Sequence, residues 1–385
     1  MALSADKMTR DELNEAKDEL YSVDAKRVKK ILRRMAVQAS FASSSANISV
    51  LLPDVMQLLE TTDVEQKKMV YLFMSSLAAT NPDAMTMAFN RMVRDVSDAN
   101  PLIRALALRT LSGVRVENLC ESMIEPVRIG MHDNDPFVRK TAALAVAKMF
   151  DMSPEVVERG GLLPELSGLL GDSNAHVVAN AATALNEITE RAPYNVFDPS
   201  VKTINKMLAT INECTEWNQV ALLDMLVLFK PATEREALTI LERVQARLNH
   251  SNAAVVMSAT KVMLQQLTFL TDPDTIQSFL SKMAQPLCTL MSLPADIQYV
   301  LLRNLKVIAQ KHPTILPVAD VKIFFCKYND PSYVKMEKVD TILALTTEQS
   351  VHIVLVEMVS ATAAGARQRS SSEALRHVTL LISEH

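Results

Sequence analysis

A short turn motif returns along the chain at nearly constant spacing, and no other feature restricts the fold as strongly. Each copy has a polar residue, then Pro, Ala or another small or apolar residue, then a stretch that opens with Val or a basic residue. The copies occupy residues 62–67, 99–104, 134–139, 173–178, 216–220, 251–256, 293–297 and 329–335. Such regularity predicts an array of repeated units.

The spacing and the local chemistry of the motif indicate the repeat class. The marker positions are 64, 101, 136, 175, about 217, 253, 294 and 331, and their steps are close to the roughly 40–47 residues of HEAT and armadillo units. Asn or Asp before Pro predicts a helix start, because its side chain caps the first turn and Pro has no N–H to leave unpaired there. The chain is therefore predicted to be all-α, a right-handed α-solenoid of HEAT/armadillo-like helical repeats. An irregular helical domain is the alternative.

The segments that follow the markers are amphipathic with the period of an α-helix. The residues predicted to form the apolar stripes are Leu102, Ile103, Leu106, Leu108, Leu111, Val138, Ala142, Ala145, Val146, Met149, Val177, Ala181, Ala184, Leu185 and Ile188. A single repeat cannot bury such a stripe, so stacking of neighbours is expected to supply one continuous core.

The scarcity of glycine supports an all-helical fold. Only 7 of the 385 residues are Gly, whereas the usual share is roughly 7%, and strand-rich or nucleotide-binding α/β folds need glycine at turns and phosphate loops. The net charge of −4 argues against a general nucleic-acid binder. The four cysteines lie far apart with no CxxC pair, which favours buried thiols in a reducing, cytosolic compartment.

Sequence motifs of catalysis and cofactor binding are missing. The sequence has no GxGxxG, P-loop, GxSxG or HExxH motif. The run 132–135, His-Asp-Asn-Asp, has metal-ligating residue types but lacks the glycine and the distal glutamate of a calcium loop, so we predict a capping turn. There is no signal-peptide pattern and no apolar run of 18 residues. We expect a non-enzymatic protein with no catalytic residue, metal or cofactor.

One cluster of bases stands out near the start of the chain. Residues 26–34 contain six bases and no acid. Val28, Ile31, Leu32 and Met35 are spaced to form one apolar seam on a helix. The bases that project from the remaining surface are Lys26, Arg27, Lys29, Lys30, Arg33 and Arg34. This face is predicted to bind an anionic membrane surface, since bases near such a surface are attracted to it. The alternative is a solvated first helix with incidental charge.

Several segments carry a family resemblance, and they occur in the family's order. They are LPDV at 52–55, QKKMVYL at 66–72, NPLIRALALRT at 100–110, DPFVRKTAA at 135–143, VVANA at 177–181, NECTEWNQ at 212–219 and FFCKYNDPSYVK at 324–335. Over about residues 11–358 the chain resembles the trunk of beta-adaptin, the large beta subunit of clathrin-associated adaptor complexes in the adaptin N-terminal family. The last two segments are the most specific.

The resemblance implies a scaffold in vesicle-mediated protein transport, peripheral on Golgi, endosomal or plasma-membrane coated vesicles. The implied partners are the second large subunit, the medium subunit and the small subunit of an adaptor complex, with clathrin reached through the full complex. It also implies phosphoinositide contacts at Lys29 and Lys30, which match a family lysine pair, although the lysine-rich stretch that precedes this pair in the family is replaced here by residues 18–24.

The resemblance further implies an Arf-type GTPase as a partner of residues 82–93. Met85, Phe89 and Met92 would form its apolar strip, but a place in the core is favoured for them. The family's hinge and ear do not follow, so direct clathrin binding through a hinge motif is not expected. A coatomer (COPI) beta-type subunit and a karyopherin-like transport scaffold remain alternatives.

The chain is expected to have three parts. Residues 1–22 form a polar N-terminal segment, residues 23–360 form the trunk solenoid, and residues 361–385 form a divergent tail. Within the tail, residues 373–382 are amphipathic. They either cap the end of the array, which needs a polar outer face, or extend from it.

Overall fold

A computed structural model gives the fold and describes residues 9–39, 48–78, 80–194, 196–197, 199–312, 315, 322–327, 329–346, 352, 354 and 356. Regular structure within these residues is helical, without a β-strand. The chain divides into two compact units, residues 1–225 and 226–385. The predicted divergent tail, with its amphipathic segment 373–382, lies outside the described residues.

The first unit is a stack of helices, several of which are followed by a short 3₁₀ turn. Its helices are α1 (Arg10–Leu20), α2 (Ala25–Ala39), α3 (Leu52–Gln57), α4 (Val64–Leu77), α5 (Pro82–Arg94), α6 (Pro101–Leu111), α7 (Glu117–Cys120), α8 (Ile124–Met131), α9 (Pro136–Met152), α10 (Pro154–Arg159), α11 (Leu162–Gly168), α12 (Ala175–Arg191) and α13 (Val201–Thr210). The unit boundary falls within α14 (Glu216–Leu228).

The second unit continues the same pattern of stacked helices. Its helices are α15 (Glu234–Gln245), α16 (Ala253–Leu267), α17 (Pro273–Leu290), α18 (Ala295–Lys311) and α19 (Ser332–Leu345). Neighbouring helices in this unit pack directly, as α15 does with α16 and α18 with α19. The predicted all-α solenoid of helical repeats is confirmed.

The turn motifs mark helix starts as predicted. Helices begin at residues 64, 101, 136, 175, 216, 253, 295 and 332, each within one residue of a marker. Five N-cap side chains accept hydrogen bonds from backbone N–H groups of the first turn, as the motif requires: Asp63, Asn100, Asp135, Asn174 and Asn252. The run 132–135 is thus a capping turn, in which Asp133 accepts from the N–H of Asp135 at 2.8 Å.

The last marker differs from the prediction in its cap. Pro331, rather than an Asn or Asp, is the N-cap of α19, and no side chain caps this helix. Asp330 bonds elsewhere, because its carboxylate accepts from the buried Lys338 Nζ at 2.6 Å and from the Lys327 N–H at 2.7 Å. An ion pair to the body of α19 therefore replaces the cap at its start.

The apolar stripes are buried in α9 and α12, which confirms the prediction for those helices. In α6 the stripe is shifted. Leu102 is 51% exposed, whereas Ile103, Ala107 and Leu108 are buried. Successive residues are rotated by about 100° on a helix, so the seam that contains Ile103 leaves Leu102 on the open side, where the prediction was wrong.

A ladder of ion pairs joins consecutive turns of the first unit. The Arg104 guanidinium, in the first turn of α6, donates to the backbone carbonyls of Asp98 and Ala99 at 2.8 and 3.2 Å. It also makes two hydrogen bonds, at 2.8 and 2.9 Å, to the carboxylate of Asp133 in the next turn along the stack. One side chain therefore fixes its own turn and the neighbouring one.

The same kind of ion pair between consecutive turns is made by Arg139, and Lys67 makes one with an ammonium group in place of the guanidinium. Arg139 binds the Asp172 carboxylate at 2.7 and 3.0 Å, and Lys67 Nζ donates to Asp95 at 2.8 Å. In α12 the equivalent position is Val178, which is fully buried and contributes apolar packing instead. Because buried polar groups need partners, each pair ties one repeat to the next.

Candidate functional site

Helix α2 carries the predicted basic face and is oriented as its sequence requires. Val28, Ile31, Leu32 and Met35 are at most 5% exposed and pack inward, so the predicted seam is confirmed. The bases lie in the opposite sector of the helix, and Lys26, Arg27, Lys30 and Arg33 are exposed while Lys29 and Arg34 are half-buried. A helix buried on one side therefore presents a basic surface on the other.

Acidic side chains from two neighbouring helices reach part of this basic face. Helix α2 packs against α1 and α4. Lys29 Nζ lies 2.9 Å from both Asp63 Oδ2 and Glu65 Oε2, at the start of α4. Arg33 pairs with the same Glu65, and Arg34 pairs with Glu12 of α1. Three of the six bases are thus held by carboxylates of the same unit.

These ion pairs keep both partners charged. Hydrogen bonds to Asp63 and then to Glu65 raise the pKa of Lys29. The hydrogen bond from Lys29, joined by one from Arg33, lowers the pKa of Glu65. The pKa of Asp63 is lowered first by Lys29 and then by the Gln66 backbone N–H. The paired bases are therefore already compensated, and an anionic ligand would have to displace carboxylates to reach them.

The remaining three bases form a freer subset of the same face. Lys26 and Lys30 are one helical turn apart and exposed, and among the described residues no carboxylate pairs with either. In the same part of the chain, the one carboxylate beside Arg27 is Asp24, at 3.7 Å and three residues away, and 70% of the Arg27 side chain is exposed. We define Lys26, Arg27 and Lys30 as the open bases of α2.

Sequence reasoning found the bases but missed their partners. Glu12, Asp63 and Glu65 lie 22 to 36 residues from the bases that they bind. A signal existed for two of them, because the repeat places the start of α4, with its N-cap Asp63, beside α2. Their effect is to divide a cluster that looks uniform in the sequence into compensated and open halves.

The residues proposed as an Arf-type contact strip on α5 do not lie on the surface. Met85 and Met92 are at most 2% exposed and Phe89 is 7% exposed. The favoured alternative, a place for all three in the core, is confirmed. Any GTPase contact of this helix would use other residues, such as Met87, which is 73% exposed.

Other chemistry is not assembled in the part of the chain that the structure describes. Within it, no group of three or more His, Cys, Asp or Glu side chains is placed to hold a metal ion, and no helix is long and apolar enough to cross a bilayer. Cys120 and Cys214 are buried free thiols, and burial raises the pKa of Cys214 to about 11, so this thiol stays protonated at neutral pH.

Comparison with known families agrees with the helical array and its turn motifs. The family described as the adaptin N-terminal region matches residues 5–384. The chain belongs to the adaptin N-terminal region family. The adaptin resemblance of the segments at 52–335 is thereby confirmed, and it extends along nearly the whole chain.

Within this adaptin family, the chain is similar to beta subunits. It is 45% identical over 350 residues to the AP-1 complex subunit beta of Dictyostelium discoideum, covering 90% of this chain and 36% of the relative. It is 46% identical over 334 residues to the human AP-1 complex subunit beta-1, covering 86% and 35%. The AP-2 complex subunit beta of Schizosaccharomyces pombe is 34% identical over 314 residues, covering 81% and 46%. The chain thus spans about a third to a half of these relatives.

Superposition on known structures supports the fold. A chain in a homology model of the full-length AP-3 complex in an intermediate open conformation superposes with a TM-score of 0.65 at 16% identity, covering 97% of this adaptin and 64% of that chain. A crystal structure of an engineered protein superposes with a TM-score of 0.52 at 16% identity, covering 97% and 99%. At such identities the likeness concerns the fold alone.

Proposed function

We propose that this adaptin is a non-enzymatic scaffold subunit of a clathrin adaptor coat. The similarity to AP-1 and AP-2 beta subunits over more than four fifths of the chain carries this proposal. An array of stacked helices suits the role, because it offers large surfaces to partners. The beta-subunit similarity also favours this role over a coatomer subunit or a karyopherin-like carrier.

The proposed partners are a second large adaptor subunit, a medium subunit and a small subunit, with clathrin reached through the assembled complex and an Arf-type GTPase as a further partner. The complex would be peripheral on coated vesicles of the Golgi, endosomes or plasma membrane. Co-expression with a medium subunit of an AP-1 complex tests the assembly, and co-elution of both chains at equal stoichiometry is expected. Separate elution of the two chains would contradict the scaffold role.

The basic face of α2 is the proposed contact with anionic lipid. We assign the first contacts to the open bases Lys26, Arg27 and Lys30, since a lipid phosphate can reach them without displacing a buried carboxylate. Lys29, Arg33 and Arg34 would join only by exchanging their carboxylates for phosphate groups. The face is rigidly presented, because the other side of α2 is buried in the unit.

Co-sedimentation with vesicles tests this assignment. The probe is phosphatidylcholine vesicles, with or without phosphatidylinositol bisphosphate. Each base near an anionic surface strengthens binding about fivefold, so Lys26→Glu/Lys30→Glu is expected to weaken binding by about thirtyfold or more. The effect should shrink as salt is added, because exposed charges are screened.

A matched control is available on α13. Lys202→Glu/Lys206→Glu changes the net charge by the same amount, and its two lysines are also one turn apart. This variant should bind the vesicles nearly as the parent does. Equal losses of vesicle binding in the two variants would indicate general charge attraction and refute a site on α2. Vesicle binding that neither change affects would also refute it.

A further inference from the structure

The two last described helices share an exposed apolar surface. On α18, Val300 is 54% and Val307 58% exposed; on α19, Met336 is 53% and Tyr333 42% exposed. These helices pack against each other within the second unit. We define the α18–α19 patch as Tyr299, Val300, Val307, Tyr333 and Met336. Scattered single apolar residues on a surface are ordinary, but a contiguous set is typical of an interaction site.

The aromatic part of the α18–α19 patch is held in place. The rings of Tyr299 and Tyr333 pack edge to face, with centroids 5.6 Å apart and planes at 76°. The Tyr333 hydroxyl donates to Asp296 Oδ1 at 3.0 Å. Both rings are therefore restrained before any partner arrives, and a partner would lose little affinity to ordering them.

The repeat provides an internal comparison for the two valines. They occupy the sixth and thirteenth positions of α18. Three helices of the array have polar residues at both positions, whereas α14 has Ala221 and Leu228 there. The polar pairs are Thr141 and Lys148 in α9, Asn180 and Glu187 in α12, and Ser258 and Gln265 in α16. The exposed valines at both positions of α18 set this helix apart from α9, α12 and α16, and they form the aliphatic part of the patch.

One charge in the α18–α19 patch lacks a counter-ion. Arg303 lies on α18 between the two valines, and its Nη1 donates to the Tyr299 hydroxyl at 3.2 Å. In the described part of the chain, no carboxylate pairs with Arg303. At the rim, by contrast, Lys306 is compensated by Asp340 at 3.1 Å. The patch also contains an acid, because Asp296 lies one turn before Val300 and its carboxylate accepts from the Tyr333 hydroxyl. Arg303 is nevertheless the charge between the two valines, so this part of the patch is complementary to an apolar ligand that carries an acid.

The spacing of the apolar residues suits a helical ligand. Val300 and Val307 are two turns apart, about 10 Å along the axis. An amphipathic helix presents aliphatic side chains at the same interval, in the helix-in-groove mode of recognition. We propose that the α18–α19 patch binds an amphipathic helix of a partner protein, through its aliphatic stripe and a carboxylate that pairs with Arg303. The proposal is independent of the basic face of α2.

A pair of synthetic peptides tests the proposal directly. Both are fluorescent, helix-stapled and share one leucine stripe, and they carry either Glu or Lys beside the stripe. Anisotropy titrations use the full chain, with circular dichroism to verify that each variant is folded. The parent chain should prefer the Glu peptide by about tenfold, and Arg303→Glu should reverse the preference. Val300→Asn/Val307→Asn should weaken both peptides by about tenfold or more.

Two matched variants serve as controls. Arg109→Glu, on exposed α6 surface, should leave the peptide preference unchanged, as should Val201→Asn on α13. Failure of both peptides to bind, or a preference that Arg303→Glu does not alter, would overturn the proposal. So would a concentration-dependent dimer of the parent chain that Val300→Asn/Val307→Asn abolishes, because the occupant would then be a second copy of this chain.

Discussion

Removing one rung of the ion-pair ladder should destabilise the first unit measurably. In Arg139→Met the aliphatic stem is kept while the guanidinium is lost. The Asp172 carboxylate, whose side chain is only 9% exposed, then loses two hydrogen bonds of 2.7 and 3.0 Å. It keeps the Asn174 N–H at 2.7 Å. Two carbonyls, of Asp133 and Asn134, also lose their donor.

The expected cost lies between two limits. Hydrogen bonds to charged groups contribute about 1.5–3 kcal/mol each, and removing one partner of a fully buried pair costs about 3–5 kcal/mol. Since the Arg139 side chain is 15% exposed and one acceptor bond survives, we expect a loss of about 2–4 kcal/mol. By contrast, Arg115→Met, after the end of α6, removes one ion pair, with Asp151, and the Arg115 side chain is 79% exposed; such a pair is worth at most about 1 kcal/mol.

Urea unfolding followed by circular dichroism measures both variants, and a double-mutant cycle with Asp172→Asn isolates the pair. Repeat arrays can unfold in stages, so the transition assigned to the first unit is compared rather than a single midpoint. The coupling energy between Arg139 and Asp172 should exceed about 1 kcal/mol. A coupling near zero, or equal losses of stability in Arg139→Met and Arg115→Met, would refute the role given to the ladder.

Two further predictions concern the same unit. Burial acts to raise the pKa of Asp172, but the hydrogen bonds from Arg139 and from the Asn174 N–H outweigh burial and lower this pKa from 3.8. The Arg139–Asp172 pair therefore contributes its full stability above pH 3.8. That contribution is lost as the pH falls through the lowered pKa. Urea midpoints should drop on acidification in the parent, and less so in Asp172→Asn. Gly130→Ala should lower the free energy of unfolding by about 1–3 kcal/mol through overpacking, because the new Cβ would lie 2.5 Å from Leu108 Cδ1. Gly168→Ala should not destabilise the protein, because a Cβ at this position would have no atom within 4 Å. Thermal unfolding that ranks these two glycine variants in the opposite order would contradict the packing argument.

The repeat markers made the fold accessible to sequence reasoning, because capping is a local interaction. Asp63, Asn100 and Asp135 each bond to N–H groups two or three residues away, so residue order alone places the helix starts. Side-chain burial was harder to predict at the ends of helices. Leu102 was assigned to the core although it lies on the open side. In a single helical turn, the sequence is compatible with either of two neighbouring apolar stripes.

The candidate site shows where local reasoning ends. The basic face of α2 and its apolar seam follow from periodicity within one helix. The division between Lys29, which is compensated, and Lys30, which is open, depends on Asp63 and Glu65, more than 30 residues along the chain. Only the packing of α2 against α4 brings these charges together. The same limit explains why the partners of Arg104 and Arg139 were not predicted.

The end of the ladder changes what holds two neighbouring repeats together. At Val178 the charged pair is replaced by apolar packing, and the step from α12 to α14 relies on uncharged hydrogen bonds, such as that from Asn186 Nδ2 to the Ala221 carbonyl at 3.0 Å. Because no carboxylate has to stay ionised for these contacts, this step is expected to survive an acidification that weakens the Arg139–Asp172 pair. A valine at this position thus makes one junction of the first unit independent of the protonation that governs its neighbour.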